Sequence, residues 1–251
     1  MDQSVVCNNE GQMHIQQYNI HIPNSISLEN HNTVHKVVNK IEAQNILSSA
    51  AMQHGARHSI CIDRSDSSVW SFGDNSQGQL GHEDVGSCTK PRRVSLPARI
   101  SSVSCGRDFT ICLDHEGGLW SFGNNMYGQL GISPWGSRVT TPQAVKNETP
   151  FSKISCGANH TMCLDYSGFL WCFGQGALGK LGIGHNKNVA TPTQVDFDNA
   201  AMVGCGGDFT ALIDTYNNIF CAGYGFSSTF VQIEHNGMKI SLLLHAEFPI
   251  S

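Results

Sequence analysis

The side chains that could carry chemistry in this sequence are histidines and aspartates that recur in short, glycine-led motifs. His58 and His160 lie in GARHS and GANHT, and Asp108 and Asp208 lie in GRDFT and GGDFT. Such groups can move protons in an enzyme when a nucleophile and its base lie within hydrogen-bond reach. Here each candidate occupies an equivalent position of a repeated segment, and no nucleophile–base–acid set lies outside these positions. The pattern therefore predicts a protein without bond-making chemistry.

The cysteines follow the same repeat. The sequence contains 10 Cys residues, and no two of them form a Cys-x-x-Cys pair of the kind that binds zinc. Because repeat-equivalent positions explain their spacing, we expect small, reduced, buried side chains rather than disulfides or metal ligands. No metal and no cofactor is predicted. Two repeated sites hold most of these cysteines, one with Cys61, Cys112 and Cys163 and the other with Cys105, Cys156 and Cys205.

A glycine-rich stretch could instead cradle a phosphate. LWSFGNNMYGQLG at 119–131 has counterparts in VWSFGDNSQGQLG at 69–81 and LWCFGQGALGKLG at 170–182. A phosphate-binding loop would need a following Gly-Lys-[Ser/Thr] and an opening helix, and neither is present. We therefore interpret the stretch as structural, with glycines that allow tight turns and tryptophans that are buried between adjacent repeats. The residues assigned to these roles are Gly73, Gly123, Gly174, Gly128 and Gly131, and Trp70, Trp120 and Trp171.

The repeat has a period of about 51 residues and contains four short strands. A hairpin joins segments such as TICLD and LWSFG, and an apolar run such as ISSVSCG at 100–106 precedes it. A fourth strand is expected after Pro91, Pro142 and Pro192. Four antiparallel strands are the content of one propeller blade, so we predict an all-β propeller. Residues 46–225 are assigned to propeller repeats, 1–45 to a poorly repeating segment or degenerate blade, and 226–251 to a degenerate segment.

These motifs resemble the regulator of chromosome condensation family, whose repeat reads Gly-x-x-His-[Ser/Thr], a hairpin, and then Gly-x-Asn-x-x-Gly-Gln-Leu-Gly. The resemblance covers about residues 50–225 and implies a propeller that normally has seven blades. Only four copies are recognisable here, and the fourth, IFCAGYGFSSTF, lacks the Gly-Gln-Leu-Gly half. We therefore expect an incomplete or degenerate ring. An open end would expose a sheet edge and an apolar face, which favours a partner chain or self-association.

The resemblance also implies candidate binding residues. The family includes an exchange factor for the small GTPase Ran, in which acidic and His side chains of this motif face the GTPase. By position the role falls on Asp108, Asp208, His58 and His160, although Phe109 and Phe209 alternate with the histidines, which favours a packing role for those rings. The spacer after the Phe-Gly pair is four residues in the three good copies, so no inserted wedge is predicted there.

Trp135, in SPWGS, has no counterpart in the other repeats. It is either an anchor for a protein interface or a side chain buried against its own blade. Together these observations favour a protein-interaction module or regulatory adaptor. The alternative is a guanine-nucleotide exchange factor for a Ran-like small GTPase.

Composition limits the other possibilities. The chain of 251 residues carries a net charge of −5, and its longest basic cluster is KPRR at 90–93. This charge gives no footprint for direct nucleic-acid binding. The first twenty residues lack the layout of a secretory signal, and no apolar run is long enough to span a bilayer. We expect a cytoplasmic or nuclear protein, neither secreted nor bound to a membrane.

Overall fold

The computed structural model describes residues 5–7, 13–15 and 50–233, and nearly all of the described chain with regular structure is β-strand. Blade 1 consists of β3 (Ala50–His54), β4 (His58–Asp63), β5 (Ser68–Gly73) and β6 (Cys88–Arg93). Blade 2 consists of β7 (Ile100–Cys105), β8 (Phe109–Asp114), β9 (Leu119–Asn124) and β10 (Arg138–Ala144). Blade 3 consists of β11 (Phe151–Cys156), β12 (His160–Asp165), β13 (Leu170–Gly174) and β14 (Val189–Gln194). Blade 4 consists of β15 (Ala200–Cys205), β16 (Phe209–Asp214), β17 (Ile219–Gly223) and β18 (Val231–Ile233).

Each blade is an antiparallel meander in which strands adjacent in sequence are adjacent in the sheet. Two further short strands, β1 (Val5–Cys7) and β2 (Met13–Ile15), form a separate antiparallel pair, and a single 3-10 turn spans Ala177–Gly179. The predicted all-β propeller architecture is confirmed. Residues 50–233 form four blades, the number of repeats that the sequence predicted, where the family ring normally has seven. Apart from β1, β2 and the residues up to Ile233, the predicted segments 1–45 and 226–251 lie outside the described residues, so those boundaries stay predictions.

The outermost strands of blades 1, 2 and 3 begin earlier than the sequence suggested. Pro91, Pro142 and Pro192 lie within β6, β10 and β14 rather than before them. The register of each of these strands shifts against its neighbour close to the proline. Proline has no N–H to donate, and it is tolerated in a sheet only at an edge or a bulge. The expectation that the strands follow the prolines was therefore wrong, and the proline marks a bulge inside an edge strand.

The hydrophobic core lies between the blades. We call the side of a blade that contacts the next blade its forward face and the opposite side its back face. Alternation along a strand places every second side chain on one face, which gives each forward face the same set of apolar positions. The forward face of blade 1 packs on the back face of blade 2 through Ile60, Ile62, Val69 and Val94 on one side and Val103, Cys105, Cys112 and Phe122 on the other.

The tryptophans of the repeat are less buried than predicted. Trp120 is only partly buried at the edge of the blade 1–blade 2 cluster, whereas Phe122 is fully buried in it. The indole Nε1 of Trp120 donates to Asp114 Oδ2 over 3.0 Å, and Trp171 makes the same 3.0 Å bond to Asp165. This polar bond keeps the indole beside the hairpin turn. The deepest contact between blades is therefore made by the phenylalanine two residues later, and Trp70 follows the same pattern with Ser68 as its acceptor.

Glycines of the Gly-Gln-Leu-Gly segment allow close approach between neighbouring blades. Gly128 has a φ of +83°, and a Cβ there would lie 2.7 Å from Ala190 Cα on the outer strand of blade 3. Gly131 meets Phe173 in the same way, at 3.1 Å from a ring carbon. The positive φ disfavours a side chain at both glycines, and at Gly128 the near neighbour is also backbone. The repeated glycines thus set the spacing of the blades.

Candidate functional site

Two groups of loops meet at one end of the blades. The glycine-led motif joins the first and second strands, and the Gly-Gln-Leu-Gly segment follows the third. Backbone bonds hold the two together in every blade, for example from Asn124 N to Asp108 O over 2.9 Å and from Tyr224 N to Asp208 O over 2.8 Å. We call this end the loop face. The opposite end, made by the hairpin turns at 64–67, 115–118, 166–169 and 215–218, is the hairpin face.

A ladder of backbone hydrogen bonds connects neighbouring blades across the loop face. Ala56 N donates to Arg107 O, Arg107 N to Ala158 O and Ala158 N to Gly207 O, each over 3.1 Å. These four residues follow the glycine of the motif in each repeat. The ladder therefore holds in place the backbone of the residue that follows in each repeat. These residues are Arg57, Asp108, Asn159 and Asp208.

The two candidate histidines lie inside the blade interfaces. His58 and His160 are buried, and their Nε2 atoms lie 3.0 Å from Thr110 Oγ1 and 2.9 Å from Thr210 Oγ1 on the next blade. Each threonine hydroxyl donates onward to a backbone carbonyl, that of Gln79 for Thr110. Because the hydroxyl proton is used in this way, the imidazole must donate through Nε2–H. The rings act as links between blades, and a partner at the surface does not reach them.

The spacing of the motif follows from this packing. A Cβ on Gly55 would lie 2.1 Å from His58 Cε1, because the ring folds back over the glycine three residues earlier. Phe109 covers Gly106 in the same way. Burial lowers the pKa of both His58 and His160 to about 3, so both rings are neutral at pH 7.

Asp108 and Asp208 occupy the same repeat position but have different surroundings. Asp108 is partly buried, and burial raises the pKa of its carboxyl against the opposing effect of Arg57 and Arg107. Asp208 Oδ1 accepts a 2.6 Å bond from Lys180 Nζ of the preceding blade, which also donates to Gln175 Oε1 over 2.7 Å. Lys180 is 1% exposed and Asp208 50% exposed. Lys180 stands where the other repeats have glutamine, so Asp208 neutralises a buried cation.

This difference predicts different effects on stability. Asp208→Ala is expected to reduce the free energy of unfolding by about 1–3 kcal/mol more than Asp108→Ala, because it leaves a buried ammonium without its counter-ion. The cost stays below that of a fully buried pair because Asp208 is half in water. Urea unfolding of both variants measures it. Adding Lys180→Gln to Asp208→Ala restores the motif of the other repeats and should recover most of the loss. Equal unfolding midpoints for the two Asp variants would contradict this role.

Trp135 lies on the loop face and is 48% exposed. Asn125 N donates to Ser137 O and Gly136 N donates to Asn125 O, both over 2.9 Å, which brings the segment after Asn125 beside the Trp135 loop. Met126, 50% exposed, and Tyr127 follow Asn125 directly. We call these three exposed residues, on two backbone segments joined by those hydrogen bonds, the blade 2 apolar patch. The sequence analysis did not identify Met126 and Tyr127. The signal was a change from polar to apolar residues, because the matching positions of the first repeat are Ser76 and Gln77.

A second set of acidic residues, also missed, has a structural role. Asp165 Oδ1 accepts from the backbone N–H groups of Ser167 and Phe169, and Oδ2 accepts from Trp171. Asp114 and Asp214 hold their hairpin turns through similar bonds. The signal was present in the sequence, since an aspartate ends the second strand of all four repeats.

The thiols are also enclosed within the structure. Burial raises the pKa of Cys61 to about 11 and that of Cys156 and Cys205 to about 12. Among the residues whose side chains are described, no group of three His, Cys, Asp or Glu residues could hold a metal ion. No helix in the described part of the chain is long and apolar enough to cross a membrane.

Comparison with protein families identifies the repeat. The family model "Regulator of chromosome condensation (RCC1) repeat" matches residues 66–113, 116–164 and 167–213, which is more than half of the chain. A second model with the same description matches 100–129 and 151–179. The first model's repeat begins near the third strand of one blade and ends in the second strand of the next, so each sequence repeat connects two blades.

Several curated proteins are similar to this chain over part of their length. Human protein RCC2 is 31% identical over 202 residues, covering 68% of this chain and 38% of RCC2. The serine/threonine-protein kinase Nek9 of Xenopus laevis is 36% identical over 178 residues, covering 67% and 18%. The ultraviolet-B receptor UVR8 of Arabidopsis thaliana is 30% identical over 195 residues, covering 75% and 44%. The chain spans less than half the length of each of these relatives.

Solved structures share the fold at low sequence identity. Yeast RCC1 (Prp20) bound to Kap60 has a TM-score of 0.68 at 18% identity, covering 94% of this chain and 57% of Prp20. Human WBSCR16 has a TM-score of 0.67 at 20% identity, covering 73% and 52%. A further structure of Prp20p, from Saccharomyces cerevisiae, was studied for binding to Gsp1p and histones and has a TM-score of 0.67 at 17% identity, covering 94% and 62%.

Proposed function

The chain belongs to the regulator of chromosome condensation (RCC1) repeat family, and from this membership we propose that it is a protein-interaction module or regulatory adaptor. The observation that carries the proposal is the blade 2 apolar patch. Trp135 and Met126 are each about half exposed on the loop face, whereas most large apolar side chains of the repeat are buried between blades. Exposed aromatic side chains of this kind are frequent anchors of protein interfaces.

We propose that the module performs no bond-making chemistry of its own. The proposal is supported by the structural roles of the side chains that could otherwise react. The histidines link neighbouring blades, and the cysteines of the repeat lie in the core with raised pKa values. Asp208 pairs with Lys180. Asp108 is partly exposed, and unlike Asp208 it forms no salt bridge with a lysine in the described part of the chain. We therefore include Asp108 in the proposed binding face.

The proposed partner is a protein that docks on the loop face. Further exposed apolar side chains lie on this face in blades 3 and 4, which gives a surface that extends beyond one loop. We propose a cytoplasmic or nuclear location together with this role. We do not propose that the chain binds nucleic acid directly. The additional exposed residues are Leu178, Tyr224 and Phe226.

Alanine at both Trp135 and Met126 is expected to weaken capture of protein partners from a cell extract by about 30-fold or more, the effect of losing an interface hot spot. The matched control replaces Tyr166 and Tyr216, two exposed tyrosines of the hairpin face, with alanine. Quantitative mass spectrometry of captured proteins, at several bait concentrations, measures the change. Loss of partners with the tyrosine variant alone would move the interface to the hairpin face. If the unchanged protein captures no protein in larger amount than an unrelated propeller does, the proposal that it is an interaction module is wrong.

Guanine-nucleotide exchange on a Ran-like small GTPase is the second candidate function. Partial exposure of Asp108 among charged residues of the loop face favours it, while the regular four-residue spacer after Gly73, Gly123 and Gly174 offers no inserted element for the nucleotide site. Release of a fluorescent guanine nucleotide from Ran separates the two functions. An adaptor leaves the release rate unchanged at substoichiometric amounts. Acceleration by orders of magnitude, abolished by Asp108→Ala, would establish exchange instead.

A further inference from the structure

The second residue of the Gly-Gln-Leu-Gly segment is a buried polar residue in each of blades 1, 2 and 3. These residues are Gln79, Gln129 and Lys180, and each is exposed by 1% or less. The side-chain oxygens of the two glutamines are occupied, because Gln79 Oε1 accepts from Gln77 N over 2.8 Å and Gln129 Oε1 accepts from Tyr127 N over 2.9 Å. The side-chain nitrogen at this position therefore needs an acceptor of its own.

A carboxylate of this chain is that acceptor in two of the three blades. Gln79 Nε2 donates to Asp74 Oδ2 over 3.3 Å, and Lys180 Nζ donates to Asp208 Oδ1 over 2.6 Å. Asp74 lies five residues before Gln79 in the same blade, whereas Asp208 lies in the glycine-led motif of the next blade. Two positions of the repeat can therefore supply the carboxylate.

The interface between blades 2 and 3 has the donor but lacks the carboxylate. Asn124 and Asn159 occupy the two positions that supply a carboxylate elsewhere in the repeat. Gln129 Nε2 is buried and has no hydrogen-bond acceptor among the described residues. A buried donor without an acceptor is unfavourable. Within residues 50–233 this interface is therefore incomplete.

The two asparagines border the buried amide. Asn124 Oδ1 accepts from Met126 N over 2.8 Å, so the NH2 group of Asn124 is turned to the side where blade 1 has its carboxylate oxygen. A Cβ on Gly174 would lie 2.6 Å from Asn159 O and 3.1 Å from Gln129 Cα, which places these two residues beside each other. Both asparagines are partly exposed on the loop face. We call Asn124, Gln129 and Asn159 the amide pocket.

The surroundings of the amide pocket carry positive charge. The loop-face segments of blades 2 and 3 contain no Asp or Glu, whereas the corresponding segment of blade 1, at 74–88, contains three. Arg138 is exposed and pairs with Asn124 in the register of β9 and β10. Lys187 is exposed just before the strand of blade 3 that packs on Gly128. The segments without carboxylates are 124–138, 157–160 and 175–188.

We propose that the amide pocket binds a carboxylate side chain of a protein partner, and that an apolar residue next to it in the partner lies on the blade 2 apolar patch. The pocket and the patch are continuous, because Met126 and Tyr127 donate their backbone N–H groups to Asn124 and Gln129. The inference rests on the proposed function, and it specifies the partner as an acidic segment with an adjacent apolar residue.

A carboxylate fits this site better than a neutral acceptor does. It can accept from both amide NH2 groups at once, and the exposed cations Arg138 and Lys187 attract its charge. A water molecule would satisfy the donors but gains nothing from the two cations. The pairing of Asp208 with Lys180 shows that the repeat accommodates a carboxylate at this place.

A library of random peptides displayed on phage tests the preference of the full chain. The enriched peptides are expected to contain Asp or Glu close to an aromatic or aliphatic residue. The most enriched peptide is then synthesised and used as the probe for titration calorimetry with the unchanged protein and its variants.

Asn159→Asp is expected to weaken binding of the probe peptide at least about tenfold, because a carboxylate of the chain then occupies the pocket and repels the peptide. The variant should fold, since Asp108 and Asp208 hold this position in other blades. Asn186→Asp is the matched control. It adds the same charge to an exposed position of the blade 3 loop outside the pocket, and it should change the affinity by less than about twofold.

Gln129→Lys should have the opposite effect. Lys180 shows that the repeat accepts lysine at this position, and an ammonium donor should tighten binding of the probe peptide by about threefold or more. Combined with Asn159→Asp, it recreates the pair of Lys180 and Asp208 within the chain. The double variant should bind the peptide no better than Asn159→Asp alone.

Three results would overturn the inference. The first is enrichment of peptides without acidic residues, or of none, which would leave the amides to bind water only. The second is the same affinity in Asn159→Asp and Asn186→Asp. The third is weaker binding in Gln129→Lys. Each leaves the proposed function intact, because that function fails on a different result, namely capture of partners that does not depend on Trp135 and Met126.

Discussion

Replacing Phe122 with alanine is expected to reduce the free energy of unfolding by about 3–5 kcal/mol, the usual cost of deleting a buried aromatic side chain. The ring is fully buried between the forward face of blade 1 and the back face of blade 2. Its edge also lies against Gly81, where an added Cβ would be 3.0 Å from a ring carbon. Alanine would leave a cavity between the two sheets. The sheets cannot move closer to fill it without disturbing the hydrogen bonds between the blades.

Phe169→Ala is the matched control, because Phe169 is 41% exposed in the hairpin turn of blade 3. It should change the free energy of unfolding by less than about 1 kcal/mol, as surface substitutions usually do. Urea unfolding followed by tryptophan fluorescence reports both variants. Similar midpoints for the two alanine variants would mean that Phe122 does not hold the blades together.

The fold was largely predictable because the sequence repeats. A residue that returns every 51 positions must suit the same surroundings each time, so one hairpin inferred from TICLD and LWSFG gave all four blades. The depth of each side chain was not predictable in this way. Trp120 and Phe122 share one face of a strand, and alternation alone cannot tell which is deeper. The bond from the indole to Asp114 decides it, and this bond depends on the geometry of the hairpin.

The candidate site was harder to predict because its residues act across blades. The partner of His58 is Thr110, 52 positions away, and the partner of Asp208 is Lys180, 28 positions away. The alternation of His58 and His160 with Phe109 and Phe209 did point to packing. The exposed blade 2 apolar patch could be suspected from Trp135, which has no counterpart, but Met126 joins it only through the backbone bonds of Asn125.

Acidification is expected to destabilise the protein through His58 and His160. Burial lowers the pKa of both imidazoles to about 3, whereas an unfolded histidine titrates near 6.5. The unfolded chain therefore binds more protons than the native one between these values, and stability falls as the pH falls. Each ring contributes at most about 1.4 kcal/mol per pH unit, so the two together remove up to about 4 kcal/mol between pH 6.5 and 5. The dependence is already half its maximum at pH 6.5 and fades above about pH 7.5, where the unfolded histidines are neutral too.

His160→Phe tests the assignment with a side chain that the repeat already accepts at Phe109 and Phe209. Phenylalanine fills the space over Gly157 and cannot be protonated, so the variant should fold and lose the part of the slope between pH 6.5 and 5 that His160 contributes. The slope that remains comes from His58 and from His54 and His82, whose pKa values burial also lowers. Asp208 and Lys180 act in opposite directions on His160, which leaves burial as the main cause. Urea unfolding at pH 7, 6 and 5 gives the slope for both proteins. The surface residue His115 provides the control, since His115→Phe should leave the slope intact. A slope that is the same in the His160→Phe and unchanged proteins would show that this imidazole is not the group that acid must protonate to separate blades 3 and 4.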